Sequence, residues 1–266
     1  MSGDEGFALM VSLGIAIWFW VSWFMGADST APWQSNRRHR VPLFLAPLAS
    51  AVLLFAVLKT AASFDVRDSP LYLAFYMAMG IAWLGVGSRL LAPFGLSARD
   101  DVVERSNPAA ARAIGGALIG VTLCFAGGNI GDGPGWWVVV FCAALSTAAL
   151  FILWYLLDKA TGLSDTVTVD RDLAAGTRLA GFFTAAGLIL GRAVAGDWIS
   201  AGGTVADFCT DGWPVLLLWV VAVAVERRLR PAPGRPLLPV ASHGWAPALV
   251  YLAIAGLALV QVGWWS

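Results

Sequence analysis

The chain is 266 residues long, 59% hydrophobic and only 13% charged, with a formal net charge of zero. A mean hydropathy of +0.74 excludes an ordinary water-soluble domain, in which about a quarter of the residues are charged. Zero net charge also excludes the overall basic field that would draw the chain to nucleic acid, so charge is informative only by position.

A hydrocarbon core about 30 Å thick needs about 20 mostly apolar residues per helix. Eight segments qualify: Phe7 to Gly26, Leu43 to Ala62, Leu71 to Pro93, Ala110 to Gly128, Trp136 to Leu157, Leu173 to Val194, Pro214 to Val225, and Trp245 to Val262. The seventh is short and reaches spanning length only when its start moves outward to Phe208. The first reads as a retained span rather than a secretory signal. Asp4 and Glu5 precede it in place of basic residues, and its apolar run exceeds a usual signal core of about 7–15 residues. The predicted fold is therefore all-α, a polytopic membrane bundle of eight transmembrane helices.

Basic residues in short loops stay on the cytoplasmic side of a membrane, which tests the count independently. With loops one, three, five and seven cytoplasmic, that side holds Arg37, Arg38, Arg40, Arg89, Arg99, Arg105, Arg112, Lys159, Arg171, Arg178, Arg227, Arg228, Arg230 and Arg235. Only Lys59, Arg67 and Arg192 fall on the other side, so both termini are expected outside. Trp136, Trp137, Trp198, Trp213, Trp245, Trp264 and Trp265 sit at proposed span ends, where an indole meets both apolar chains and water.

Helix starts are marked locally. Asn107 can cap exposed amides ahead of Pro108, whose missing N–H is harmless in a first turn, and Asp172 stands in the matching place before Leu173. Shifting the chain by 65 residues aligns these two starts, together with Ala109/Ala174, Ala110/Ala175, Gly116/Gly181, Leu123/Leu188, Gly131/Gly196 and Asp132/Asp197. Each copy follows a span ending in Gly-Leu-Ser, at Gly95 to Ser97 and at Gly162 to Ser164. The expectation is a parallel two-span repeat within one transmembrane domain. Its parts are an N-terminal helix pair (1–70), repeat one (71–133), repeat two (134–200) and a C-terminal helix pair (201–266).

The stretches ERSNPAAARAIGGALIGVTLCFAGGNIGDG and DRDLAAGTRLAGFFTAAGLILGRAVAGDW carry a family resemblance. They resemble the two repeats of the YjfL-like bacterial inner-membrane proteins, a family of unknown function, over Leu71 to Trp198. The resemblance implies a bacterial inner membrane and no settled activity. Small members of that family look like four-span proteins, so the outer helix pairs are additions.

Gly116 with Gly120, and Gly187 with Gly191, have the spacing that lets helices approach closely, and Gly181 widens the same small-residue surface. They serve either as a packing face or as a lining with room for a ligand. Arg192 near Asp197, with Asp132 at the equivalent place in the other copy, is either a structural ion pair or a small anion or gating site. Arg89 and Asp158 form a candidate cross-repeat ion pair, and Asn129 is a helix-end or lining residue.

His39 and His243 fall in loops, and Cys124, Cys142 and Cys209 lack ligand spacing. No metal, haem or other cofactor is therefore expected, and no catalytic residue is nominated. The basic runs Arg37 to Arg40 and Glu226 to Arg230 suit anionic lipid, while loops 96–107 and 163–172 expose both signs of charge and suit a cytoplasmic partner. A second copy or another membrane subunit is the remaining partner class. The leading functional expectation is a non-enzymatic scaffold or assembly subunit. The alternative is a channel or transporter whose path runs between the repeats.

Overall fold

The computed structural model describes residues 1–28, 40–230 and 239–262, which form helices and connecting turns with no strand among them. In chain order these helices are α1 (Gly3–Asp28), α2 (Val41–Thr60), α3 (Phe64–Asp68), α4 (Pro70–Leu90), α5 (Pro108–Gly127), α6 (Trp136–Thr161), α7 (Leu163–Thr168), α8 (Leu173–Ala193), α9 (Ala201–Gly212), α10 (Pro214–Leu229) and α11 (Ala246–Val262). Among the described residues, seven helical segments are long and apolar enough to cross a bilayer. The pair α9 and α10 makes an eighth if counted as one span. The fold is thus an all-α polytopic bundle. The expectations placed on Arg37, Arg38, His39, Arg235, Trp264 and Trp265 lie outside the described residues.

The seventh span departs from the sequence reading. Extending it back to Phe208 called for one continuous helix, whereas the chain bends by 45° at Trp213 between α9 and α10. Pro214 explains the break, since it donates no hydrogen bond and its ring would clash with the preceding turn of a straight helix. The 16 residues of α10 reach about 24 Å, short of the roughly 30 Å hydrocarbon core.

Burial sorts the helices into a centre and a shell. Helices α5 and α8 form the closest pair; α2 packs on α5, α11 on α8, α1 on α4, and α6 against both central helices. The central pair is rich in Ala and Gly, while the shell presents Phe, Leu, Ile, Val and Trp outward, among them Phe7, Ile17, Leu45, Ile152 and Leu257. Lipid tails are as apolar as Leu, so small residues that permit backbone contact are what select the central pair.

Both central helices start as predicted. The Asn107 side chain accepts from the Ala109 and Ala110 amides at 2.9 and 3.2 Å, and Asp172 accepts from Ala174 at 2.8 Å. The turns ahead of them share main-chain bonds at equivalent positions. Arg105 donates to Asp100 and Asn107 to Asp101, while Asp170 donates to Asp165 and Asp172 to Thr166. Among the described residues, Ser106 and Arg171 are the two non-glycine residues with left-handed backbone, at φ of 54° and 55°. Each therefore pays a local strain that a tight entry into the capped helix demands.

Candidate functional site

The nominated glycines are best judged by what occupies the space beside them. Along the α5–α8 seam, Gly176 lies against Ala109, Gly116 against Ala180, Gly120 against Phe183, Gly191 against Leu123 and Gly127 against Gly191. Both series ascend together, so the helices run parallel. A Cβ on Gly120 would stand 2.5 Å from the Phe183 carbonyl oxygen, and one on Gly187 would stand 2.6 Å from that of Gly120. Main chain meets main chain with no room for a side chain, still less for a solute. Gly181 does not belong to this seam, because it faces α11 at Ala248.

Thr122 donates to Leu118 and Thr184 to Ala180, both within their own helix, while the Thr177 hydroxyl donates to Leu173 and accepts from Arg112 across the pair at 2.8 Å. Ser146, from α6, donates to the Cys142 carbonyl at 2.8 Å and lies 3.3 Å from that of Cys124. Cys124 is fully buried on α5, beside Gly191.

At one end of the seam the two connections after α5 and α8 are laced together. Gly196 donates to the Ile130 carbonyl, Trp198 donates to that of Asp132, and the Asp132 amide donates to the Asp197 carboxylate at 2.8 Å. The pairing expected between Arg192 and Asp197 is therefore replaced, at Asp197, by a backbone link. Arg192 itself donates to the Ala195 carbonyl at 3.3 Å. Asn129 is buried just past α5 and donates to the Phe125 carbonyl at 2.7 Å, in keeping with a helix-end role. Trp198 sets its indole edge-on against Trp137 and Phe141, which anchors the same end.

The opposite end holds a buried, bidentate ion pair. Arg178 and Glu226 meet side by side, Nε to Oε1 and Nη2 to Oε2, both at 2.7 Å, with the two side chains 0% and 4% exposed. Arg178 Nη1 also donates to the His243 carbonyl at 2.7 Å. One guanidinium thereby fastens α8 to α10 and to the turn before α11, in the bidentate geometry that suits arginine and carboxylate. Asn107 adds a second clamp, donating from Nδ2 to the Val167 carbonyl at 2.8 Å.

Two readings are corrected here. Arg178 was assigned to a loop and Glu226 to a headgroup-facing run, but both are buried inside the bundle. A signal existed for Arg178, a lone charge within the apolar stretch from Leu173 to Gly191, because a lone charge that cannot reach water requires a partner; Glu226 heads a run of charges, which hid its role. The expected Arg89–Asp158 pair is absent. Arg89 donates to Ser22 and lies 4.5 Å from the Trp18 ring centroid, while Asp158 accepts from the Ser164 amide at 2.7 Å. Each charge found a nearer partner in its own neighbourhood.

A cavity of about 860 Å³ lies between the ends of α1 and α4 and the turn at 98–104, lined in part by Ser22, Trp23, Ser88, Arg89 and Ser97. It stands apart from the α5–α8 seam. Among the described residues no three His, Cys, Asp or Glu side chains are arranged to hold a metal ion.

Comparison with known proteins adds one finding. No curated protein and no solved structure matches the chain. Residues 64–194 match the model of a family described as a Domain of Unknown Function (DUF350). That segment runs from α3 to the end of α8, so it contains the whole central seam and leaves the outer helices α1, α2 and α9 to α11 beyond it.

Proposed function

We infer that this multi-pass protein is a non-enzymatic scaffold, or structural subunit of a membrane assembly, in a bacterial inner membrane. The observation that carries the reading is the seam. Six glycines bring the α5 and α8 main chains into contact, and where a solute path between repeats would run, Phe183, Leu123 and Ala180 fill the space. The buried charges point the same way, since Arg178 and Glu226 satisfy each other instead of lining an opening.

The same reading takes α4–α5 and α6–α8 as a duplicated unit of the YjfL-like kind, flanked by added helix pairs. Matching hydrogen bonds ahead of Asn107 and Asp172, and left-handed backbone at Ser106/Arg171 and Gly131/Gly196, support it. Arginine placement puts the Asn107 and Asp172 end in the cytoplasm and both termini outside.

The test has two arms. Affinity purification in mild detergent is expected to retain a second membrane subunit or a second copy in fixed stoichiometry. Proteoliposomes loaded with ion-sensitive and solute-sensitive dyes are expected to leak no faster than empty ones. Selective flux that Arg192→Ala abolishes would replace the scaffold reading with a transport path.

A further inference from the structure

Three cations converge where α6 and α10 end together. Trp219 donates to the Leu153 carbonyl at 3.1 Å and Arg227 to that of Ala160, so α6 and α10 are neighbours running in the same direction. Arg230 places its guanidinium against Gly162, where a Cβ would stand 3.2 Å from Nη2. Lys159 lies 5.4 Å from the Tyr155 ring centroid. All three basic side chains are exposed and none joins a salt bridge among the described residues. The two adjacent carboxylates are already engaged, Asp158 by Ser164 and Glu226 by Arg178.

Behind this cluster the helix pair presents an apolar groove to its surroundings. Ile152 and Leu156 on α6, and Leu216 and Val220 on α10, are 58%, 45%, 57% and 56% exposed. Ile152, Leu156 and Lys159 share one face of α6 at spacings of four and three residues, and Leu216, Val220 and Arg227 share one face of α10 at spacings of four and seven. From Arg227 back to Leu216 is about 16 Å of helix, close to half of a roughly 30 Å hydrocarbon core.

We propose that this groove is a binding site for one anionic phospholipid. Its phosphate sits among Lys159, Arg227 and Arg230, and an acyl chain lies along Ile152, Leu156, Leu216 and Val220. Charge sign and depth choose this occupant. A cationic cluster with no acidic partner among the described residues, at the polar end of a groove one leaflet deep, complements a molecule with a negative head and an apolar tail. A soluble phosphate compound would leave the groove empty, and a zwitterionic lipid would leave the cations unbalanced. The proposal rests on the membrane reading and is independent of whether the protein is a scaffold or a conduit.

Native mass spectrometry of the full chain, released from vesicles of equal phosphatidylglycerol and phosphatidylcholine, reads the site directly. The wild type is expected to keep phosphatidylglycerol preferentially. K159Q/R227Q/R230Q is expected to lose that preference by at least about tenfold, with Arg99→Gln as an unaffected basic control at the same end. Lys159→Gln alone, whose helix contacts are fewest, is expected to lose part of it and serves if the triple variant does not fold. Equal retention of the two lipids by the wild type would overturn the site. So would unchanged preference in the folded variants, or displacement of the lipid by inorganic phosphate at millimolar concentration.

Discussion

The central pair and the outer shell are both apolar helices, yet they spend their residues in opposite ways. In the most apolar stretch of α5, 83% of residues are buried inside the protein, and in α8 78%, against 22% in α1 and 28% in the last span. Small residues let the first pair exchange lipid contact for main-chain contact; large residues keep the second group facing lipid. Apolarity therefore tells where a helix lives, while side-chain size tells what it touches.

The comparison is broken most severely by filling the seam. Gly120→Leu combined with Gly187→Leu sets two side chains against main-chain carbonyls, and each overpacked site costs roughly 1–3 kcal/mol or more. No folded protein is expected in size-exclusion profiles from detergent. Next in size is the clamp that joins the shell to the centre. Glu226→Ala leaves Arg178 buried and unpaired, a loss of about 3–5 kcal/mol, visible as a large drop in thermal midpoint. Adding Arg178→Met to Glu226→Leu is expected to restore most of that loss, because removing both charges leaves only the His243 carbonyl without its donor.

Smaller effects sharpen the match between the two helix starts. Asp172→Ala removes one cap bond and is expected to cost about 1 kcal/mol. Asn107→Ala removes two cap bonds and the tie to Val167, so its thermal shift should exceed that of Asp172→Ala. Equal shifts would show that the tie contributes nothing. The smallest effect belongs to the shell: a Cβ on Gly14 or Gly256 would meet nothing within 4 Å, and Gly14→Leu and Gly256→Leu should change stability by no more than about 0.5 kcal/mol.

These contrasts also mark what sequence reasoning can reach. Asn107 and Asp172 were legible because a cap is a local bargain between a side chain and amides two or three residues on. The glycine pairs were legible as small surfaces but not as partners, since spacing along one helix does not name the helix opposite; Gly181 turned to α11 for that reason. Arg178 and Glu226 lie 48 residues apart, so their pairing depends on how α8 and α10 pack. Arg89 and Asp158 failed as a pair because similar depth in the bundle does not bring two helix ends together. At the seventh span, Pro214 was available as a breaking signal but was outweighed by continuous apolarity toward Phe208.

The central claim is that the α5–α8 seam is closed to water, and a native residue reports on it. Cys124 lies fully buried on α5 with its main chain beside Gly191 at the seam and its side chain against Ser146 and Thr147 of α6, whereas Cys209 is exposed. In a variant retaining Cys124 alone, reconstituted in lipid, a small charged methanethiosulfonate reagent is expected to leave the thiol unmodified while modifying a Cys209-only variant. Labelling of Cys124 at a rate approaching that of Cys209, in protein that remains folded, would contradict the account.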